Sequence, residues 1–303
     1  MPDLPDLAKN DYVVRVNRAI DHVTRNLAEP LRLDDVAAVA CFSSYHFHRI
    51  FRALTGETLA SFIKRLRLER AVYMLSHGPK TSLTEIALAC GFASSSDFSR
   101  SFRSHYGVPP RVFDVRRFRT ARREQLETSL PAGARDKLQR LPPGDNPDGF
   151  AITLRKLPAR RVGYRRVLNP YAGGVVEAVA ALMTWATARG LAGGQWLGYQ
   201  WDDPEIVPLA QCRYDVGVEI PTSAVVGDEA SIVELPAMTV AELAIAGPID
   251  LEMRALDWIY TTWLPSSGYA PAHQPCFEAW NGAPFAHGAE HFDLRVQLPV
   301  TRL

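Results

Sequence analysis

Three groups of residues in this sequence have types and spacing suited to chemistry. Phe47, Arg49, Phe51 and Arg52 recur in the same order as Phe98, Arg100, Phe102 and Arg103, at a constant offset of 51. An arginine held on an exposed helix can bond bidentately to guanine, and Ser, His and Tyr beside it add hydrogen bonds or thymine-methyl contacts. The third group centres on Glu278, between Phe277 and Trp280. A carboxylate set among aromatic rings can pair with a desolvated organic cation, to which the rings add cation–π attraction. Metal chemistry has little support. Cys41, Cys90, Cys212 and Cys276 are scattered, with no Cys-x-x-Cys pair, so no metal or other cofactor is expected. Reduced thiols in a cytoplasmic protein are the expected state.

The arginine groups belong to a longer repeat. Ser43, Ser44 and Gly56 match Ser94, Ser95 and Gly107 at the same offset, which predicts one supersecondary unit used twice. Each copy reads as helix, tight turn, helix. Asp34 and Thr84 are expected at or near the N-caps of the first helices, and Ser43 and Ser94 at those of the second. Gly91 suits the turn, with Cys41-Phe42 in the corresponding place. The paired phenylalanines face inward. That leaves Tyr45, His46, His48, Arg49 and Arg52 free on one helix, and Ser95, Ser96, Asp97, Ser99, Arg100 and Arg103 on the other. Apolar positions from Leu59 to Leu75 predict a helix able to hold the copies apart, for successive major grooves about 34 Å away from each other. Asp11 to Ala28 reads as a further helix, so the first half is all-α.

The polar, Pro- and Gly-rich segment 120–150 has linker composition, with room for a short helix. Beyond it the pattern becomes α+β. Residues 152–167 read as a strand pair, 175–189 as a helix, and 195–201 and 213–220 as strands. CRYDVGVEIPTS (212–223) and HFDLRVQLPVTR (291–302) share an aromatic-Asp pair, alternating apolar residues and a proline. A helix precedes each, at 175–189 and 251–264. A duplicated β-α-β-β module with a cleft between its halves is expected. Around that cleft fall Tyr199, Trp201, Tyr214, Trp263, Tyr269, Phe277 and Trp280.

Residues from about 12 to 118 resemble the DNA-binding domain of the AraC/XylS family. The likeness rests on GFASSSDFSRSFRSHYGVPPRVFDVRR (91–117), with G-F-x-S, F-x-R-x-F and G-x-x-P-x-x-[FY], and on RLRLERAVYML around the linking helix. It implies base-reading roles for Tyr45, His48 and Arg49, and for Ser95, Ser96 and Arg100. Ser96-Asp97 departs from the commoner polar pair. Residues 150–303 resemble the GyrI-like effector-binding domain through GYQWDDP, RYDVGVEIP, WLPSSGY and PCFE. That likeness places Glu278 at the family's ligand-binding glutamate. The whole chain looks like a Rob-like member of the AraC/XylS family, with the DNA-binding domain first.

The expected organisation is therefore two domains: an all-α double helix-turn-helix domain at 11–119, a linker at 120–150 and an α+β domain at 151–303. Charge agrees with this division. Residues 1–128 carry 20 Lys+Arg against 14 Asp+Glu, a net +6, while the remainder is −5. A basic half suits a polyanion. The expected function is sequence-specific regulation of transcription. Tyr45, His48, Arg49, Arg52, Ser95, Ser96, Arg100 and Arg103 would contact double-stranded DNA. Glu278, Trp201, Tyr214, Trp263 and Trp280 would bind a small organic effector. RNA polymerase is a further candidate partner, the chain is a candidate monomer or homodimer, and no enzyme activity is expected. Neither a signal peptide nor a membrane span is read from the sequence. Two alternatives stand beside this reading. Glu278 with Tyr214 could serve a GyrI-like hydrolase, although no G-x-S-x-G nucleophile motif is present. The protein could also be a constitutive DNA binder whose second domain contacts protein.

Overall fold

The computed structural model describes residues 6–77, 81–129, 141–227, 229–288 and 290–303. The chain divides into two compact units. One holds the residues up to Arg117 with Val226–Ser231; the other holds Phe118–Val225 and Ile232–Leu303. Among the described residues, no helix is long and apolar enough to cross a membrane.

The first unit is helical: α1 (Asp6–Arg25), α2 (Leu33–Val39), α3 (Ser44–Thr55), α4 (Leu59–His77), α5 (Leu83–Ala89) and α6 (Ser95–Tyr106). The central helix α4 packs against α3 on one side and against α5 and α6 on the other. It can do so because apolar residues occur round most of its circumference; Phe62, Leu66, Leu68, Ala71 and Val72 are all buried. Leu59, Phe62, Ile63 and Leu66 share a core with Phe47, Phe51 and the α1 residues Val16, Ile20 and Val23. Arg65 of α4 is buried between Glu57 and Glu69, with bonds of 3.1 and 3.0 Å. Arg67 donates to the carbonyls of Leu27 and Glu29, tying the end of α1 to α4.

Asp34 and Thr84 lie near the helix starts, each two residues past the N-cap itself. The N-cap of α2 is Arg32, without a side-chain cap, and Asp34 lies in the first turn. The N-cap of α5 is Ser82, which forms a reciprocal capping box with Glu85, so Thr84 is already inside the helix. A serine followed three residues later by glutamate satisfies two orphan N–H groups, which Thr84 could not.

Helix α7 (Val115–Ser129) runs into the segment expected to be a linker, and from Phe118 onward it is part of the second unit. Charge explains why. Arg119 bonds Asp203 at 2.7 Å and Glu205 at 2.8 Å, and Arg123 bonds Glu205 at 2.9 Å. Residues 130–140 of that expected linker lie outside the described residues. Its end is anchored too. Asn146 exchanges two hydrogen bonds with the Phe150 backbone, and Asp148 pairs with Arg254.

The second unit contains β1 (Thr153–Leu157), β2 (Arg160–Leu168), α8 (Val175–Ala188), β3 (Trp196–Gln200), β4 (Arg213–Glu219), β5 (Ser231–Leu235), β6 (Met238–Pro248), α9 (Ile249–Trp258), α10 (Leu264–Ser267), β7 (Tyr269–Pro271), β8 (Cys276–Trp280) and β9 (His291–Arg302). A π-helical turn, Ile259–Trp263, joins α9 to α10, where the sequence suggested one regular helix. The sheet order is β1-β6-β9-β8-β3-β4-β2-β5, with β7 added on β9. The order strand, helix, strand, strand occurs as β2-α8-β3-β4 and again as β6-α9-β8-β9. Residues 152–167 do form two strands, but they do not pair with each other. β1 pairs with β6 while β2 pairs with β4, and β5 lies beside β2. The leading strand of each half thus sits at the edge of the other.

One sheet face carries the helices. α8 packs on β2 and β4, and α9 on β6 and β9. The central strands β3 and β8 run between them. The opposite face buries Val162, Tyr164, Leu197, Tyr199, Phe277 and Ala279 in one core with Val233 and Leu235.

Candidate DNA-reading helices and effector site

The second helix of each repeat is built from the same parts. Ser43 caps α3 by accepting from the His46 N–H, and Ser94 caps α6 by accepting from the Asp97 N–H. Gly56 and Gly107 end them, both in the left-handed region at φ 80°. Phe47, Phe51, Phe98 and Phe102 are fully buried. In the second turn Gly91 has φ 82°, and a Cβ there would lie 2.5 Å from the Leu27 carbonyl oxygen. Cys41 takes the left-handed conformation in the first turn, at φ 55°.

Burying those phenylalanines turns the polar residues outward. Tyr45, His48, Arg49 and Arg52 are exposed on α3; Ser96, Arg100 and Arg103 are exposed on α6, and Ser95 is half-buried. The Arg49 guanidinium donates to Tyr45 Oη at 3.3 Å and lies over its ring. Arg100 approaches Asp97 at 4.0 Å, with its side chain 81% exposed. Both arginines remain open to a partner, each in the middle of its helix.

In the second unit, Glu278 lies on β8 directly opposite Gly198 of β3. Tyr214 of β4 points to the same face and donates to Glu278 at 2.5 Å. Gly198 makes this possible. A Cβ at that position would overlap Tyr214 Oη and come 2.5 Å from Glu278 Oε2. Glu278 and Tyr214 are 6% and 9% exposed. Burial pushes the Glu278 carboxyl up to about 7, while hydrogen bonds from Tyr214 and Trp280 hold it back from rising further. Burial and the nearby Glu278 charge raise the Tyr214 hydroxyl well above its ordinary value.

Trp280 is therefore brought to Glu278 with Tyr214. Trp201 is not. Its indole N–H bonds Asp215 at 2.6 Å, on the opposite face, because strand neighbours alternate and Asp215 follows Tyr214. Trp263 lies in the π-helical turn, half-buried and stacked on Tyr269.

Residues 150–301 match the family described as the GyrI-like small molecule binding domain, and residues 36–117 match a helix-turn-helix domain. The chain belongs to the GyrI-like family, behind an AraC-type helix-turn-helix domain. Its relatives include the HTH-type transcriptional regulator ArgR of Pseudomonas aeruginosa, 35% identical over 97 residues, covering 32% of this chain and 29% of that protein. The Transposon Tn10 TetD protein of Escherichia coli is 41% identical over 91 residues, covering 30% of this chain and 65% of that one. Both matches span less than two thirds of the relative's length. Among solved structures, an AraC-type transcriptional regulator from Chromobacterium violaceum is 33% identical, covers 32% of this chain and 86% of that one, and has a TM-score of 0.30.

Within the GyrI-like domain, sequence reasoning missed Gly198 and Glu252. Gly198 stands inside the quoted GYQWDDP motif, and a glycine in an aromatic strand is a signal of close approach. Glu252 is buried at the start of α9. Burial together with the charge of Glu278 pushes its carboxyl well above the ordinary range. Nothing in its local sequence marks it.

Proposed function

We propose that this chain is a one-component transcription regulator, in which α3 and α6 read DNA and the GyrI-like domain binds a cationic organic effector. The DNA half of this reading is carried by one observation: two helices with the same caps bury the same two phenylalanines and expose the same two arginines. A purely structural bundle has no use for that repeated exposed pair. Tyr45, His48, Arg49 and Arg52 serve the first reading helix, and Ser95, Ser96, Arg100 and Arg103 the second. The test is binding of the full chain to DNA flanking its own gene, and to a random-site selection, at several salt concentrations. Specific, salt-sensitive binding is expected. Arg49→Ala should cost about 1–3 kcal/mol and relax the preference at one base position. No selected site in either experiment would overturn the reading.

Glu278 supports the effector half. A buried carboxylate partnered only by neutral donors is a poor structural element and a good anchor for a desolvated cation. Tyr214 and Trp280 supply the neighbouring aromatic surface. Trp263 serves as an outer wall, and Trp201 shapes the site from behind through Asp215. Tetraphenylphosphonium, a lipophilic monocation, is the probe. It should bind the full chain, and Glu278→Gln should weaken it at least tenfold. To regulate, such an effector must bind one conformational state better than another.

A further inference from the structure

Glu252 has no part in the likeness that pointed to Glu278, yet it is buried as deeply, at 5% and 6% exposure respectively. It stands in the first turn of α9, on the helix-bearing face of the sheet to which Glu278 also points. Among the described residues its carboxylate has no hydrogen-bond or ion-pair partner. The groups acting on the two acids are Tyr214 of β4, Tyr171 of the turn Pro170–Ala172, Cys276 and Trp280 of β8, and each other. None of these is a cation. The opposite sheet face shows what this fold does with a carboxylate meant to stay charged. There Asp215 receives two bonds from the Arg166 guanidinium, and Asp202 three from Arg213, one of them from its backbone N–H. Two carboxyl groups sharing a dry site without a cation cannot both ionise. Their charge must be met by protons when the site is empty, or by positive charge on whatever enters.

We propose that Glu252, buried on the same sheet face as Glu278 and without a cationic partner among the described residues, is the second anchor of the effector site and selects organic dications. This deepens the cation reading above and rests on it. The charges balance as follows. In the empty site the two acids keep a proton between them, held on Glu252, whose carboxyl burial and the Glu278 charge push up, while Glu278 is the first to ionise. A monocation matches ionised Glu278 and leaves Glu252 its proton. A dication requires both carboxylates ionised, and the Glu252 proton leaves to solvent. Preference for two charges over one should therefore increase with pH.

The experiment is titration calorimetry on the full chain with tetraphenylphosphonium, carrying one charge, and methyl viologen, carrying two. Each titration is run in two buffers of different ionisation enthalpy to count the protons released. Wild type should release about one more proton with methyl viologen than with tetraphenylphosphonium. Its methyl viologen affinity should rise roughly tenfold per pH unit below the pKa of the titrating carboxyl. Glu252→Gln, which keeps the side-chain shape, should weaken methyl viologen at least tenfold, leave tetraphenylphosphonium within about threefold, and abolish the extra proton. Equal proton counts for the two probes in wild type would overturn the inference without any variant. Unchanged methyl viologen affinity in a folded Glu252→Gln protein would also overturn it, while leaving Glu278 as the anchor for a cation. Failure of both probes to bind wild type would overturn the cation reading itself.

Discussion

The two faces of the GyrI-like sheet bury charge to similar depth and treat it in opposite ways. On one face Asp215, fully buried, is met by Arg166 at 2.8 and 2.7 Å and by Trp201 at 2.6 Å. On the other, Glu278 and Glu252 face neutral groups and each other. The two environments are one residue apart, since Tyr214 and Asp215 are neighbours on β4. A buried pair complete in itself is framework, because breaking it strands a charge. A buried acid left without a cation lowers stability at neutral pH, and such groups concentrate at functional sites.

The largest expected effect tests the framework face. Arg166→Ala leaves Asp215 buried without its cation and should destabilise the protein by about 3–5 kcal/mol in denaturant unfolding. A loss below about 1 kcal/mol would erase the distinction between the faces.

The next test has the opposite sign. The folded protein raises the Glu278 carboxyl from 4.5 to about 7. Between those values the folded state binds more protons than the unfolded one, so stability falls as pH rises through the window. Glu252, whose carboxyl burial also raises, contributes a slope of the same sign, so Glu278→Gln should flatten the slope without abolishing it and be more stable than wild type above pH 7, by up to about 3 kcal/mol. Melting curves from pH 4.5 to pH 8 measure this, and an unchanged slope would show that Glu278 is not held protonated.

Gly198→Ala tests the geometry that joins Tyr214 to Glu278. The added methyl meets both side chains and should cost about 1–3 kcal/mol of stability. It should also weaken tetraphenylphosphonium binding, and a neutral substitution would mean the pair can move aside. The smallest effect belongs to α3 and α6, the helices proposed to read DNA. Arg100→Ala, at a side chain 81% exposed, should change stability by less than about 0.5 kcal/mol. The same variant should still weaken specific DNA binding, which separates a reading residue from a framework one.

Much of the first unit was legible because its information is local. The offset of 51 exposed the repeat, and phenylalanines one helical turn apart fixed which side of α3 and α6 turns inward. The cap of α5 is local too: Ser82 with Glu85 three residues on carries a stronger capping signal than Thr84. Composition alone did not give the length of the helix that enters the expected linker. Its proline- and glycine-rich part lies after Ser129, whereas Arg119 and Arg123 extend α7 through ion pairs with acids more than 80 residues away. In the second unit the strands and Glu278 could be read, but the cluster of aromatic segments does not say that Trp201 turns to the opposite face from Tyr214. Counting alternation from Tyr214 would have placed Asp215, though not its bond to Trp201, on the other face.

The sequence by itself determined the two-part organisation, the duplicated helix pair, its outward arginines and the acid among aromatic residues. Each follows from periodicity, capping chemistry or composition within a short stretch of chain. Only the tertiary structure decided that β1 and β5 sit at the edges of each other's halves, that Gly198 leaves room for Tyr214 to reach Glu278, and that Glu252 shares their site. A period of two states which residues share a face of one strand. It does not state which strands lie side by side, and that pairing is what brings Gly198, Tyr214 and Glu278 together and sets Glu252 beside them.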